Sequence, residues 1–401
     1  MRRRFGALVG ALFLTAVGCV GSLPAGTPVS VFGEPQYDLA KKPIANLLAI
    51  QKAVDACTSP CVVAEPVPRG RTPDDPARTD WELSARQTYK LCDTNRIFNL
   101  ELERFFLEKD QTLKSAFYEP DGLRLNAAGR AEYAKRVKAL LDWIAEPSGK
   151  CPASPIGHKT ASHGTRIHFR ADARQNHARW WWDRTVAKLA EADALRAAGG
   201  ELDILFIGDS LTHRWEYENS GAPVLKKLTD KYRVLNIAIG GDRWEQQLWM
   251  VKSGMIDGLK PRYVSILLGA NNHAEKDSPG RTCDGVKEII DAVRERCPNA
   301  QFILYPMLMR LGDDARTREI REQDIVTNPL LRDLAEREGA RWIEFDREMR
   351  AAVGGSDELR KKYTTDFTHL SRFMYEKWYE ALESVLAPHE NVKPSKKRRN
   401  M

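Results

Sequence analysis

From Leu202 onward the chain repeats one pattern: a short, near-continuously apolar run, then a longer amphipathic stretch. The runs are 202–208 (LDILFIG), 232–240 (YRVLNIAIG), 263–270 (YVSILLGA), 301–308 (QFILYPML) and 340–345 (ARWIEF). A strand with one wet face alternates apolar and polar positions. These runs do not, so they belong to a sheet buried on both faces. Helical stretches lie between them, at 284–296 and 328–338 for example. Another at 181–198 leads into the first run, and one at 372–386 closes the series. Strands alternating with helices predict a five-stranded parallel sheet between two helical layers.

The 401 residues exceed what one small domain requires, and the earlier part of the chain echoes the later part. Residues 50–70 parallel 289–312: a helix, a cysteine, a buried strand, then a proline. Residues 117–141 parallel 362–386 and set Asp121 opposite Asp366 and Arg124 opposite His369. Residues 43–146, within a unit spanning 40–146, therefore read as a second copy of the C-terminal half of the later domain. No counterpart of the 202–208 run precedes this copy, so one edge of its first strand, 61–67, is left open. The later domain or a second copy of the chain is expected to cover it. Residues 147–164, rich in Pro, Gly, Ser and Lys, read as a linker; 165–388 form the later domain and 389–401 a basic, solvated tail.

The net charge of +7 sits at the ends. Arg2, Arg3 and Arg4 carry three of the positive charges, and Lys393, Lys396, Lys397, Arg398 and Arg399 carry five, which leaves the rest of the chain at −1. A nucleic-acid-binding protein places its basic patch on the folded body, so no nucleic-acid partner is expected. The three arginines followed by the apolar, small-residue stretch 5–18 read as an export signal within 1–26, too short for a membrane span. Cys19 follows Ala-Val-Gly, as in a lipobox that lacks its leucine, so the exported chain is either lipidated at Cys19 or cleaved nearby. Export implies a periplasmic or extracellular protein. Six further cysteines, 57, 61, 92, 151, 283 and 297, form an even set compatible with disulfides. Cys283 and Cys297 are an unsuitable pair: a helix between them holds them about 20 Å apart at about 1.5 Å per residue. No CxxC pair or Cys/His cluster suggests a metal, and no cofactor is implied.

Four segments that end predicted strands carry residues suited to chemistry. Gly208-Asp209-Ser210 closes the first strand and opens a helix, at the sheet edge where parallel α/β proteins bind ligands. A serine there lies beside unpaired backbone N–H groups that suit a developing oxyanion. NIAIGGD (236–242) ends the second strand with paired glycines; a phosphate loop would need another spacing and another strand. LLGANNHAE (267–275) offers Asn271 and Asn272 as amide donors after the third strand. TTDFTHLS (364–371) sets Asp366 and His369 three apart before the last helix, so that a carboxylate can hold an imidazole in one tautomer. Trp215 and Trp244 flank the first two of these loops and are candidates to wall a small acyl or sugar pocket.

The order Ser, Gly, Asn, Asp-His along one sheet rim resembles the SGNH (GDSL) hydrolase family. FIGDSLTHRWE, NIAIGGDRWEQQLW and GANNHAE are especially similar to its esterases of the platelet-activating factor acetylhydrolase catalytic-subunit type. The resemblance covers 180–388. It implies a flavodoxin-like three-layer SGNH domain, preceded here by the degenerate partial unit. Ser210 is then the nucleophile, His369 the base and acid, and Asp366 its orienting partner. The oxyanion donors would be the N–H groups of Ser210 and Gly241 and the Asn271 side chain. The family's position just before the aspartate places Gly241 ahead of Gly240, while Asp209 braces the turn. Such an enzyme is expected to hydrolyse short-chain, chiefly acetyl, esters of small molecules or carbohydrates. Homo-oligomerisation is left open. In the first copy Arg124 stands where the base would be; a guanidinium stays protonated and cannot take a serine proton, so that unit is expected to be inert. The rival reading is a non-catalytic carbohydrate-binding or scaffolding protein on the same fold.

Overall fold

The computed structural model of the protein describes residues 30–33, 38–59, 61–73, 75–78, the single positions 81, 85, 88 and 91, and residues 97–145 and 178–386. The export signal with Cys19, the linker, the basic tail, Cys92 and Cys151 lie outside the described residues. In chain order the principal elements are β1 (Ser30–Gly33), α1 (Pro43–Ala56), β2 (Cys61–Ala64), β3 (Ile97–Leu100), α2 (Ala127–Ala145) and α3 (Ala178–Ala197). Then come β4 (Glu201–Gly208), α4 (Ser210–His213), α5 (Ala222–Thr229), β5 (Val234–Asn236), α6 (Trp244–Lys252) and β6 (Lys260–Leu267). The series ends with α7 (Ala270–Ala274), α8 (Pro279–Arg296), β7 (Gln301–Leu304), α9 (Ala315–Arg337), β8 (Arg341–Trp342) and α10 (Arg372–Glu383). No helix of the described residues is long and apolar enough to cross a membrane.

The chain divides into two compact units, and the division is not the one expected from the linker. Residues 202–241, 261–287 and those from 299 onward make one unit; 242–260 and 288–298 fold with the residues up to 201. Tryptophans account for the difference. Trp181 and Trp182 on α3 lie 5.8 and 6.4 Å from Trp249 on α6, Trp182 hydrogen-bonds Gln51 on α1, and the Trp181 indole N–H donates to Asp242 at 2.5 Å. These rings are fully buried, and burying each is a larger favourable term than the linker composition could oppose.

The first unit has a parallel three-stranded sheet in the order β1-β2-β3. Ser30 pairs with Cys61 and Gly33 with Ala64, so the edge of β2 expected to need the later domain or a second chain is covered by the chain's own residues 30–33. Four residues are too few to show a periodicity, which is why the strand is inconspicuous in the sequence. The Asp121 carboxylate repeats the bonds of the Asp366 carboxylate. Asp121 Oδ1 accepts from the Leu123 and Arg124 N–H groups at 2.8 and 3.2 Å, and its Oδ2 from Arg124 Nε at 2.7 Å. The residue after each aspartate is left-handed, Gly122 at φ 67° and Phe367 at φ 63°.

The second unit holds a five-stranded parallel sheet in the order β5-β4-β6-β7-β8, the flavodoxin-like arrangement. Strands β5 and β7 each end four residues before their apolar runs do. Asn236 ends β5 because its side chain accepts from the Ala238 N–H and donates to the Thr212 carbonyl, diverting the chain toward the glycine pair. Pro306 has no N–H to continue β7. Helix α9 begins thirteen residues before the expected 328, with Asp314 capping it through the Thr317 N–H at 2.9 Å. Asn328 is not a cap: it clamps the Met307 backbone at 2.7 Å on the N–H side. Below the site, Phe206, Trp215, Tyr305, Phe345, Tyr375 and Trp378 form a continuous aromatic core. Cys57, Cys61, Cys283 and Cys297 are free thiols, so the even-count disulfide set does not include them; burial pushes Cys283 and Cys297 up to about 11.

Candidate active site

Strand β4 turns into α4 at a glycine with no room for a side chain. A Cβ on Gly208 would lie 2.2 Å from Thr212 Oγ1 and 2.7 Å from the Leu267 carbonyl oxygen. Asp209 then caps α4, accepting from the Leu211 N–H at 2.9 Å. It is buried, and burial pushes its carboxyl up to about 6. Ser210 is the first residue of α4, where backbone N–H groups have no partner within the helix. The Tyr375 hydroxyl, rising from α10, holds the Leu211 carbonyl at 2.7 Å.

Across the rim, the 364–370 segment is closed by a bridge between Thr364 and Leu370 and by the Thr365 N–H to the His369 carbonyl at 2.7 Å. Asp366 Oδ1 accepts from the backbone N–H groups of Thr368 (3.1 Å) and His369 (2.7 Å), and Oδ2 faces His369 Nδ1 at 2.7 Å. His369 Nε2 lies 3.0 Å from Ser210 Oγ. A carboxylate only accepts, so Nδ1 carries a proton and, in the neutral ring, Nε2 is the acceptor for the serine hydroxyl. Burial raises the Asp366 carboxyl, but the His369 and Thr368 donors outweigh it and hold it below its ordinary value. Burial lowers His369, with the positive charges of Arg214 and Arg310 adding to that and Asp366 opposing it; the net direction is down. A neutral imidazole between a hydroxyl and a carboxylate can take the hydroxyl proton as the oxygen attacks carbon.

The remaining sequence candidates fall on neighbouring loops. Strand β4 lies between β5 and β6, so the loops after these three strands leave one sheet edge about 4.8 Å apart. Ser210 follows β4, Gly241 follows β5, and Asn271 lies on α7 after β6. Gly240 and Gly241 differ in what their N–H groups do. Gly240 donates to His213 Nδ1 at 3.2 Å. The Gly241 N–H has no acceptor among the described residues, its φ is +83°, and a Cβ there would meet open space.

The two tryptophans are placed otherwise than expected. Trp215 is fully buried and packs 5.1 Å from Tyr375 and 5.2 Å from Trp378. Trp244, the first residue of α6, is also fully buried. Neither presents a ring face to a pocket; both were drawn beside the loops by core packing. A residue not singled out in the sequence, Arg214, lies 3.9 Å from Asp366 Oδ2 and 3.4 Å from Thr365 Oγ1. Its position four after Ser210 on a helical turn was the available signal. Among the described residues, no group of three or more His, Cys, Asp or Glu side chains could hold a metal ion.

A hydroxyl, imidazole and carboxylate in hydrogen-bonded sequence at the carboxyl edge of a parallel sheet define the serine-hydrolase class of site. Residues 206–377 match the GDSL-like lipase/acylhydrolase family, and this part of the chain is similar to the SGNH/GDSL hydrolases. It is an α/β hydrolytic enzyme. The platelet-activating factor acetylhydrolase IB subunit alpha1 of Homo sapiens is 29% identical over 190 residues, 46% of this chain and 76% of that protein. Among solved structures, a putative platelet activating factor protein from Streptococcus pneumonia covers 54% of this chain and 100% of its own, at 19% identity and a TM-score of 0.41. A GDSL-like lipase from Bacteroides thetaiotaomicron covers 50% and 97%, at 17% identity and a TM-score of 0.40.

Proposed function

We propose that the protein is an exported esterase that removes short acyl groups, chiefly acetyl, through an acyl-enzyme on Ser210. The observation that carries this reading is the unbroken run of hydrogen bonds from Asp366 through His369 to Ser210. In the first step the Ser210 oxygen bonds to the ester carbon, its proton passes to His369 Nε2, and the carbonyl electron pair moves onto oxygen. The Ser210 and Gly241 N–H groups and the Asn271 amide receive that charge. Collapse breaks the bond to the alcohol, which leaves with the proton from His369. Water then attacks the acyl-serine, His369 takes its proton, and the carboxylic acid departs as Ser210 regains its hydrogen.

The name of the human relative, an acetylhydrolase, supports a short acyl group. The basic, apolar N-terminus supports export, with Cys19 as a candidate lipid anchor. Among alcohols we favour carbohydrates, which an exported esterase meets at the cell surface. In the first unit Arg124 stands where the base would be and its guanidinium cannot accept a serine proton, so that unit is read as inert and structural.

The test is p-nitrophenyl acetate hydrolysis by the full chain, followed by a panel of acetylated sugars, longer acyl esters and phospholipid esters. Turnover that vanishes in Ser210→Ala and is highest on acetyl sugars is the expected result. An inactive parent protein that binds glycans would instead favour the binding or scaffolding role.

A further inference from the structure

Behind the proposed oxyanion loop lies a second histidine–aspartate pair with no surface at all. His273 is on α7 and Asp324 on α9, and both side chains are fully buried. His273 Nδ1 is 2.7 Å from Asp324 Oδ1, and Nε2 is 3.1 Å from Thr327 Oγ1. The Thr327 hydroxyl also reaches the Gln323 carbonyl at 2.8 Å. Because a hydroxyl can either give its proton to Nε2 or accept one from it, the ring keeps a partner at both nitrogens whichever way that hydroxyl turns. Burying a carboxylate and an imidazole costs several kcal/mol, and such a pair is weak evidence of a gain in stability. Its use must be sought in what it positions.

What it positions is short. Helix α7 has five residues, too few to hold an orientation unaided, and it carries Asn271. The chain enters it through Gly269 at φ 130°, where a Cβ would strike Met307 and Thr282. Arg310 and Arg316 hold the carbonyls of Ala270 and Ala274, each at 3.2 Å. His273 ties α7 to the buried face of α9. It lies two residues from Asn271, about 200° around a helix of 3.6 residues per turn, so the buried ring and the Asn271 amide leave opposite faces. Fixing one fixes the rotation of the other. Burial raises the Asp324 carboxyl, with His273, Arg310 and Arg321 opposing, and the Asp324 charge bears in turn on Asp209 beside the nucleophile.

We propose that His273, clamped between Asp324 and Thr327, is a positioning residue that sets the rotation of α7 and so aims the Asn271 amide at the oxyanion. The inference rests on the esterase reading. Asp324→Leu, which removes the acceptor at similar size, is expected to cut kcat roughly tenfold to a hundredfold with KM within about twofold. Asp324→Asn keeps an acceptor for Nδ1 and should restore most of that loss. In combination with Asn271→Ala, Asp324→Leu should cost nothing further, since the group it aims is gone. Full additivity in the double variant, or an Asp324→Leu enzyme with unchanged kcat, overturns the proposal. Where Asp324→Leu does not fold, Thr327→Val takes its place in the cycle. A parent protein without Ser210-dependent turnover sinks the esterase reading. The clamp is then read alone, from the downfield imidazole N–H proton resonance in His369→Ala protein. That signal is expected to persist there and to disappear with Asp324→Leu or Thr327→Val; its absence from His369→Ala overturns the clamp.

Discussion

Replacing Asp366 by asparagine changes one atom, and the geometry says which way the amide must turn. Oδ1 accepts from two backbone N–H groups, those of Thr368 and His369. An asparagine that put its NH2 there would face donor with donor, so its carbonyl oxygen takes the Oδ1 place and its NH2 takes that of Oδ2. The NH2 then points at His369 Nδ1 across the former 2.7 Å contact and donates to it. That forces the remaining ring proton onto Nε2, 3.0 Å from Ser210 Oγ, where it meets the very hydroxyl it should deprotonate. The base is thus locked in the wrong tautomer while the turn keeps its backbone bonds. A tautomer lock of this kind costs about 10⁴ in kcat, or about 5.4 kcal/mol at 1.36 kcal/mol per decade. The loss of one charge-assisted bond at this half-exposed turn costs the fold only about 1.5–3 kcal/mol. The assay is p-nitrophenyl acetate turnover beside thermal melting. Asp366→Ala supplies the comparison, because it leaves the ring free to choose either tautomer and should retain more activity than Asp366→Asn. An asparagine variant within tenfold of the parent, or no worse than the alanine variant, would refute the reasoning.

Three further outcomes follow from the same site geometry. Asn271→Ala should lower kcat by about 10²–10³ with little change in KM, since an oxyanion donor acts in the transition state; steady-state kinetics decide it, and near-normal kcat removes Asn271 from the role. The acid limb of kcat/KM should fall below the ordinary histidine value of about 6.5, because burial and two arginine charges disfavour the imidazolium of His369. Arg214→Leu removes one of those charges, raises that pKa and moves the limb to higher pH; a limb that stays put or moves down contradicts the assignment. Gly208→Ala forces a Cβ to 2.7 Å from a neighbouring strand's carbonyl oxygen and should cost about 1–3 kcal/mol by overpacking, whereas Gly241→Ala meets no atom within 4 Å and should cost about 1–2 kcal/mol from its left-handed φ alone. Thermal melting ranks the two.

What the sequence could disclose followed from the range of the interaction involved. Continuous apolar runs marked the five strands of the second unit because burial on both faces leaves no polar alternation. The Asp366–His369 spacing was legible because one turn brings the two together without any other part of the chain. Three features failed for complementary reasons. The tryptophans beside the loops looked like pocket walls because composition does not reveal which way an indole points, and Trp215 points into a cluster with Tyr375 and Trp378. Helix α9 was cut short at Asn328-Pro329 because that pair resembles a helix start; its Asn328 is instead held by Met307, a contact 21 residues distant. The linker drew a boundary that Trp181 and Trp182 override, since pairing with Trp249 is invisible to local composition.

The two aspartate turns share the bonding of the aspartate and differ in the side chain that it holds. Asp121 and Asp366 each bind two following backbone N–H groups through one oxygen and offer the other to the side chain three residues on. Both turns require a left-handed residue just after the aspartate, supplied by Gly122 in one case and by Phe367 in the other. A phenylalanine in that region carries a strain of about 1–2 kcal/mol that glycine does not. The bonding of the aspartate is therefore common to both, and the difference in capability lies in the partner. Arg124 fills the carboxylate's free oxygen with a permanent cation, completing an ion pair that has nothing further to exchange. His369 fills the same place with a ring that has a second nitrogen, and that nitrogen faces Ser210. A relay needs a group that can hold a proton and give it up near neutral pH, and of the two partners only the imidazole can.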